Sequence, residues 1–358
     1  MQDRRDFLKT GFSIAAAGLA GAAALTGARR SLAEEAPPET TSVRLGQYPA
    51  SCLAPLYIVD DLLREEGFAD IRFVPLSESL SASIARGEVD FGQDFSAPII
   101  IPIDVGAPMI MLGGVHPGCI ELFARESIRS VVDLRGKRVG VGGMDDAGYV
   151  LASIIAASVG LDPAKDINWV FGRSPAFLGS SMARPRQSPT TASTGPRVQA
   201  ELFAAGEIDA FLTFPPWAQE LRARNFGRVI FNSALDRPWS QYFCCMLIGA
   251  SDFVRRNPIA TKRVVRAMVR ATDICADKPD WVAQRLVDRD FTARYDSTRQ
   301  GMYDVPYRNW REYDPEDAVR FYALRLHELG MIKSSPDTII AKGADWRFVK
   351  DVRKELGI

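Results

Sequence analysis

The chain has 358 residues, with 44 Lys and Arg balanced by 44 Asp and Glu, 47% hydrophobic residues and 9% aromatics. That composition excludes a disordered, collagen-like or coiled-coil chain, and the zero net charge argues against a nucleic-acid binder, which needs a clustered basic excess. The length suits about two domains of ~150 residues each.

Residues 1–33 read as an address rather than as part of a fold. Arg4-Arg5-Asp6-Phe7-Leu8-Lys9 is a positive n-region, Gly11 to Gly27 is an uncharged Ala/Gly-rich run, and Ser31-Leu32-Ala33 is a small-x-small cleavage site. The paired arginines followed by Phe-Leu-Lys resemble a twin-arginine (Tat) export signal. The apolar run is too short and too weakly apolar for a spanning helix. Its removal leaves 39 basic against 42 acidic groups, so a soluble periplasmic chain is expected.

From Val43 short apolar runs alternate with amphipathic stretches, the rhythm of parallel sheets covered by helices. Strands are expected at Val43–Gln47, Ile71–Pro75 and Val89–Gly92, with helices at Leu53–Glu66 and Ser79–Arg86. Further along, strands are expected at Arg138–Val141, Asn168–Phe171 and Ile208–Thr213, with helices at Ala147–Val159 and Val198–Ala205. The run Gly87-Glu88-Val89-Asp90 is echoed by Gly206-Glu207-Ile208-Asp209, 119 residues later. In each, a helix stops at glycine, whose backbone freedom closes the C-terminus, and a buried strand follows. Asp90 and Asp209, at these joints, are assigned to structure.

After each echo comes a segment with Pro and aromatics, Asp94–Pro98 and Thr213–Trp217, expected as a loop at the carboxyl end of a strand. Open α/β sheets bind ligands at that edge, and two facing edges make a cleft. The aromatics Tyr48, Phe95, Phe214, Trp217, Trp239 and Tyr242 all fall in expected loops, where flat faces stack on a planar or cationic ligand. Asp94, Asp145 and Gln241 supply orienting hydrogen bonds; Ser51, Ser96 and Tyr149 complete the candidate set. His116, in Gly113-Gly114-Val115-His116-Pro117-Gly118, reads equally as a cleft residue and as a hinge residue. His327 sits in the last turn of an amphipathic helix, a structural position.

Catalytic and metal motifs are not found. Gly140–Asp145 fails the dinucleotide fingerprint at its third glycine, and no phosphate-binding loop, nucleophile elbow or His-Glu-x-x-His occurs. The five cysteines, at 52, 119, 244, 245 and 275, form no Cys-x-x-Cys pair. Adjacent Cys244 and Cys245 are expected on opposite faces of a strand, which favours packing over metal binding. No catalytic residue, metal or cofactor is therefore expected.

Val43-Arg44-Leu45-Gly46-Gln47-Tyr48-Pro49, Ala54-Pro55-Leu56-Tyr57, Ala85–Gly92, Val132–Gly140 and Arg237–Cys245 together resemble solute-binding proteins of nitrate/sulfonate/taurine-type ABC importers, including relatives that bind thiamine-pyrimidine precursors. The resemblance implies an α/β fold of the two-lobe type II periplasmic binding protein class, each lobe a mostly parallel sheet with flanking helices. It divides the chain into a signal at 1–33, a first part of lobe 1 at 34–120, lobe 2 at 121–235, and a return crossing with C-terminal helices on lobe 1 at 236–358. It further implies a monomer that traps a small molecule, breaks no bond and hands its ligand to a membrane permease, with no nucleic-acid partner. Related readings are a pyrimidine-precursor synthase of the same fold and a ligand-binding sensor subunit. Two features depart from the family. Residues 172–197 hold four Pro, five Ser, three Thr, four Arg and no acid, an insertion-like composition. Asp145 and Asp146 stand at a helix start where the family receives an anion, so a neutral or cationic ligand, such as a planar heterocycle, is expected.

Overall fold

The computed structural model describes residues 35–76, 79–144, 146–172 and 191–357. Two five-stranded sheets form the frame. The first contains β1 (Ser42–Gln47), β2 (Asp70–Pro75), β3 (Phe91–Phe95), β4 (Met109–Pro117) and, much later, β10 (Phe243–Ala250); the second contains β5 (Glu121–Ala124), β6 (Arg138–Val141), β7 (Asn168–Phe171), β8 (Ala210–Thr213) and β9 (Arg228–Asn232). Their orders are β2-β1-β3-β10-β4 and β7-β6-β8-β5-β9. In both, the first three strands are parallel and the fourth runs antiparallel to its neighbours. That fourth strand is in each case the one reached directly after the chain passes between sheets, at residues 118–120 for β5 and 233–242 for β10.

The helices in chain order are α1 (Ala54–Tyr57), α2 (Asp60–Glu65), α3 (Leu80–Ala85), α4 (Ser96–Asp104), α5 (Ala147–Ser158), α6 (Thr191–Ala204) and α7 (Trp217–Ala223). After β10 the chain is helical: α8 (Ser251–Arg256), α9 (Pro258–Asp277), α10 (Pro279–Asp288), α11 (Tyr295–Asp304), α12 (Pro315–Glu328), α13 (Pro336–Gly343) and α14 (Arg347–Leu356). This run packs on the first sheet: Ala344 bridges to Met111 of β4, and Asp345 N–H donates to the Met111 carbonyl at 2.9 Å. Asp314 caps α12 from the position before Pro315, accepting the Glu316 N–H.

The glycine echo marks equivalent joints. Gly87 and Gly206 take φ of +69° and +78°, which a side chain would strain. Beyond them Asp90 accepts from the Arg44 backbone N–H at 2.8 Å and its guanidinium, and Asp209 accepts from Arg138 at 2.9 Å in the same way. Each carboxylate thus pins the start of the neighbouring parallel strand.

Several expected boundaries move. The helix expected over Leu53–Glu66 is broken into a 3-10 turn at Ser51–Leu53, then α1 and α2, because Pro55 starts a new helix and Asp60 turns inward to Arg285 and Arg289. The third strand begins at Phe91 rather than Val89, and Asp94–Phe95 complete it, with Ser96 opening α4 instead of lying in a loop. His116 is inside β4, not in a loop. Helix α6 starts at Thr191, seven residues before its expected start; most of the 172–197 insertion lies outside the described residues. Among the described residues no helix is long and apolar enough to cross a membrane.

Candidate functional site

The carboxyl ends of β1, β3 and β8 meet between the sheets. Ser51, in the turn after β1, donates its backbone N–H to the Pro215 carbonyl beyond β8 at 3.0 Å. The rings of Phe95, ending β3, and Phe214, following β8, lie 5.4 Å apart. Helices α4 and α5, one from each sheet, also pack on each other. Six expected site residues therefore share this junction or its immediate wall: Tyr48, Ser51, Asp94, Phe95, Ser96 and Phe214.

Their surroundings are dry. Asp94 accepts the Phe95 N–H at 2.7 Å, and burial pushes its carboxyl up to about 7. Burial, then the nearby Asp94 carboxyl, raises the Tyr48 hydroxyl well above the usual phenol range. Ser96 is committed elsewhere, its hydroxyl donating to the Phe243 carbonyl at 2.7 Å. Ser51 Oγ, Thr213 Oγ1 and Gln219 Oε1 are buried without a hydrogen-bond partner among the described residues. A buried polar atom without a partner is costly, so these three atoms are unsatisfied polar groups of the junction.

Gly301 on α11 explains how Ser51, Pro215 and Gln219 come so close. A Cβ there would sit 3.1 Å from both Ser51 Oγ and Pro215 Cβ, and 3.6 Å from Gln219 Cδ. The same helix fastens the two halves: Asp304 accepts from Gln219 Nε2 at 2.9 Å and from the Arg222 guanidinium, and Ser297 donates to Glu220 at 3.3 Å. Glu121 lies beside this group, with Arg222 Nε 3.5 Å away; burial and the Asp304 charge outweigh that cation, and its carboxyl is pushed up to about 7. Gln219, Gly301 and Asp304 carry no sequence motif, and only a fold that returns α11 to the second sheet makes them neighbours.

The start of α5 is already occupied by its own side chain. Asp146 is the N-cap, accepting from the N–H groups of Tyr149 at 2.7 Å and Gly142. Burial raises its carboxyl above the ordinary carboxylate range despite these bonds. Asp145 lies outside the described residues. Tyr149 turns its ring edge-on to Trp169 at 4.9 Å, against β7. Trp217 opens α7 and is half-buried.

Four expected residues are placed elsewhere. Trp239 is a core residue: its ring meets Phe231, Phe321 and Tyr322 at 5.3–6.2 Å and borders a cavity of about 410 Å³ that Arg325 and Leu329 also line. Gln241 is exposed on the same turn, while Tyr242 stacks on Phe321 at 4.0 Å. The segment from β9 to β10 runs along α12, so its aromatics serve packing there. His116 is buried in β4, with Nε2 3.0 Å from the Cys52 carbonyl and Nδ1 3.1 Å from the Pro117 carbonyl.

The cysteines overturn an expectation. Cys244 and Cys245 do not face opposite ways: β10 shifts register against β4 between Phe243 and Cys245, and again before Met246, so both sulfurs gather with Cys119. Cys52 joins the same buried group beside His116.

The family profile described as the NMT1-like family matches residues 36–285. No curated protein matches the chain. Among solved structures, the periplasmic nitrate-binding protein NrtA from Synechocystis PCC 6803 is similar with a TM-score of 0.67 at 14% identity, covering 90% of each chain. The alkanesulfonate-binding protein SsuA from Xanthomonas axonopodis pv. citri, bound to MOPS, has a TM-score of 0.62 at 16% identity, covering 83% of this chain and 96% of that one. The desulfurization enzyme DszB is similar at 0.56 and 17% identity, covering 88% and 99%. At these identities the likeness shows the fold, that of periplasmic binding proteins.

Proposed function

The chain belongs to the NMT1-like family, and from that premise we propose that it is the periplasmic solute-binding component of an ABC importer. In this reading residues 34–120 and 236–358 form one lobe and 121–235 the other. The twin-arginine segment at 1–33 directs export. The solute enters where Phe95 and Phe214 converge and where Ser51 and Gln219 offer unpaired polar atoms. The lobes close because the closed form binds it more tightly, and the loaded protein docks on a membrane permease. No bond is broken. The solved relatives whose titles name nitrate- and sulfonate-binding proteins support the transport role.

The solute class is argued from one observation. Asp146 fills the N-terminus of α5 with its own carboxyl, taking up N–H groups that an anion would need. A small neutral or cationic solute, with a planar heterocycle as the best match to the aromatic walls, fits where an oxyanion is repelled. Isothermal titration against pyrimidines, aromatic acids, nitrate and aliphatic sulfonates tests this. Micromolar or tighter binding of a neutral or cationic heterocycle is the expected result, and tight sulfonate binding overturns the solute class.

A further inference from the structure

Four of the five cysteines come from three separate places in the chain to one spot. Cys52 lies in the turn after β1, Cys119 in the first passage between sheets, and Cys244 and Cys245 on the returning strand β10. All four are buried. Cys119 Sγ and Cys244 Sγ are 3.3 Å apart. The sulfurs of Cys119, Cys244 and Cys245 all lie within 4.8 Å of one another, and so do those of Cys52 and Cys119 with a ring nitrogen of His116.

Packing alone accounts poorly for this. Buried cysteine is a common small hydrophobe, but it has no reason to converge from distant segments and to bend a strand so that adjacent residues face one way. A disulfide between Cys119 and Cys244 would close to about 2.05 Å and leave Cys52 and Cys245 without a role. A thiophilic cation held by Cys119, Cys244 and Cys245 accounts for the convergence, with Cys52 next to it through Cys119. Sulfur sits ~2.3 Å from Zn²⁺ in tetrahedral sites, which places neighbouring sulfurs roughly 3.8 Å apart. Within the Cys119, Cys244 and Cys245 group, where one pair is 3.3 Å apart and none exceeds 4.8 Å, that spacing is within reach.

We propose that Cys119, Cys244 and Cys245 form the buried core of a site for one thiophilic metal ion, Zn²⁺ or Cu⁺, with Cys52 and the His116 ring at its border beside Cys119. Sulfur ligands select these ions over Mg²⁺ and Ca²⁺. The ligands bind as thiolates, releasing their protons to solvent as the ion enters. Because Cys119 belongs to one passage between the sheets and Cys244 to the end of the other, the ion ties both connections together. This site is independent of the solute-binding reading above.

The test uses the full chain, reduced and stripped of metal under anaerobic conditions. It is titrated with Co²⁺ as a reporter for Zn²⁺, and separately with Cu⁺ held by a chromophoric chelator. The expected result is sulfur-to-cobalt charge-transfer absorption, or withdrawal of Cu⁺ from the chelator, saturating at one ion per chain; the arm that saturates identifies the ion. C244S/C245S loses the signal, whereas C275S, altered at a cysteine buried on α9, keeps it. C52S, should the double variant not fold, weakens binding at least tenfold. The proposal is overturned if the folded, reduced chain takes up neither ion, or if C275S loses the signal as completely as C244S/C245S.

Discussion

The two Arg–Asp joints and the two strand ends just beyond them make an instructive pair of regions. At the joints the halves of the molecule are nearly superposable: Arg44–Asp90 and Arg138–Asp209 share the same three contacts, at 2.8 and 2.9 Å from backbone, 3.1 Å from each Nε and 2.6 and 2.7 Å from each terminal nitrogen. A few residues later the halves diverge. β3 ends in Asp94-Phe95 and opens directly into α4, whereas β8 ends in Thr213 and passes through Phe214-Pro215-Pro216 before α7. The joints hold strands in register, a task identical in both sheets. The strand ends face each other across the junction, so each takes the chemistry its partner lacks: a carboxyl on one side, a hydroxyl and an apolar turn on the other.

If the joints serve the frame and the strand ends serve binding, they separate under substitution. The largest effect is expected at the better-buried joint: Asp90→Ala removes a charged acceptor from Arg44 and costs about 2 kcal/mol of stability, against about 1 kcal/mol for the more exposed Asp209→Ala. Denaturant midpoints measure both, and solute affinity stays unchanged in each. Loss of solute affinity in Asp209→Ala with stability intact would contradict the division.

Next come the rings. Phe95→Ala or Phe214→Ala is expected to weaken a planar solute about tenfold, near 1.4 kcal/mol, by calorimetric titration. A smaller effect concerns pH. Asp94 carries its proton in the folded chain up to about 7 but gives it up near 3.8 when unfolded. Folding therefore takes up a proton between these values, and this group's contribution to stability falls as pH rises across that window. A cationic solute gains the opposite way, binding a fewfold more tightly above pH 7 than at pH 6, and Asp94→Asn flattens the profile. The smallest change is expected from Asp304→Asn, which loosens a partly exposed bridge to Arg222 and Gln219. About 0.5 kcal/mol less preference for the closed form follows, read as greater solution dimensions by small-angle scattering.

The joints were legible in the sequence because they obey local rules: a glycine closes a helix, a buried strand follows, and an aspartate recurs at fixed spacing. The strand-end positions of Phe95 and Phe214 were legible because each stands at the end of a short buried strand, and the structure brings their rings to 5.4 Å. The position of Trp239 was not, since whether an aromatic next to a proline meets solute or α12 depends on a helix eighty residues later. Gln219 and Gly301 escaped for the same reason. The cysteine cluster is hidden in the sequence because strand alternation separates Cys244 from Cys245, whereas a register shift in β10 suspends alternation there.

The place of β10 has a consequence for how the molecule is made. Gln93 pairs with Leu247, so the middle of the first sheet stays unfinished until the chain has been synthesised past residue 250. Every strand of the second sheet lies between residues 121 and 232 and is available earlier. The half encoded in the middle of the chain can thus assemble on the emerging polypeptide while the half encoded first waits with an open seam, whose closure carries the loop-closure cost of joining segments about 150 residues apart.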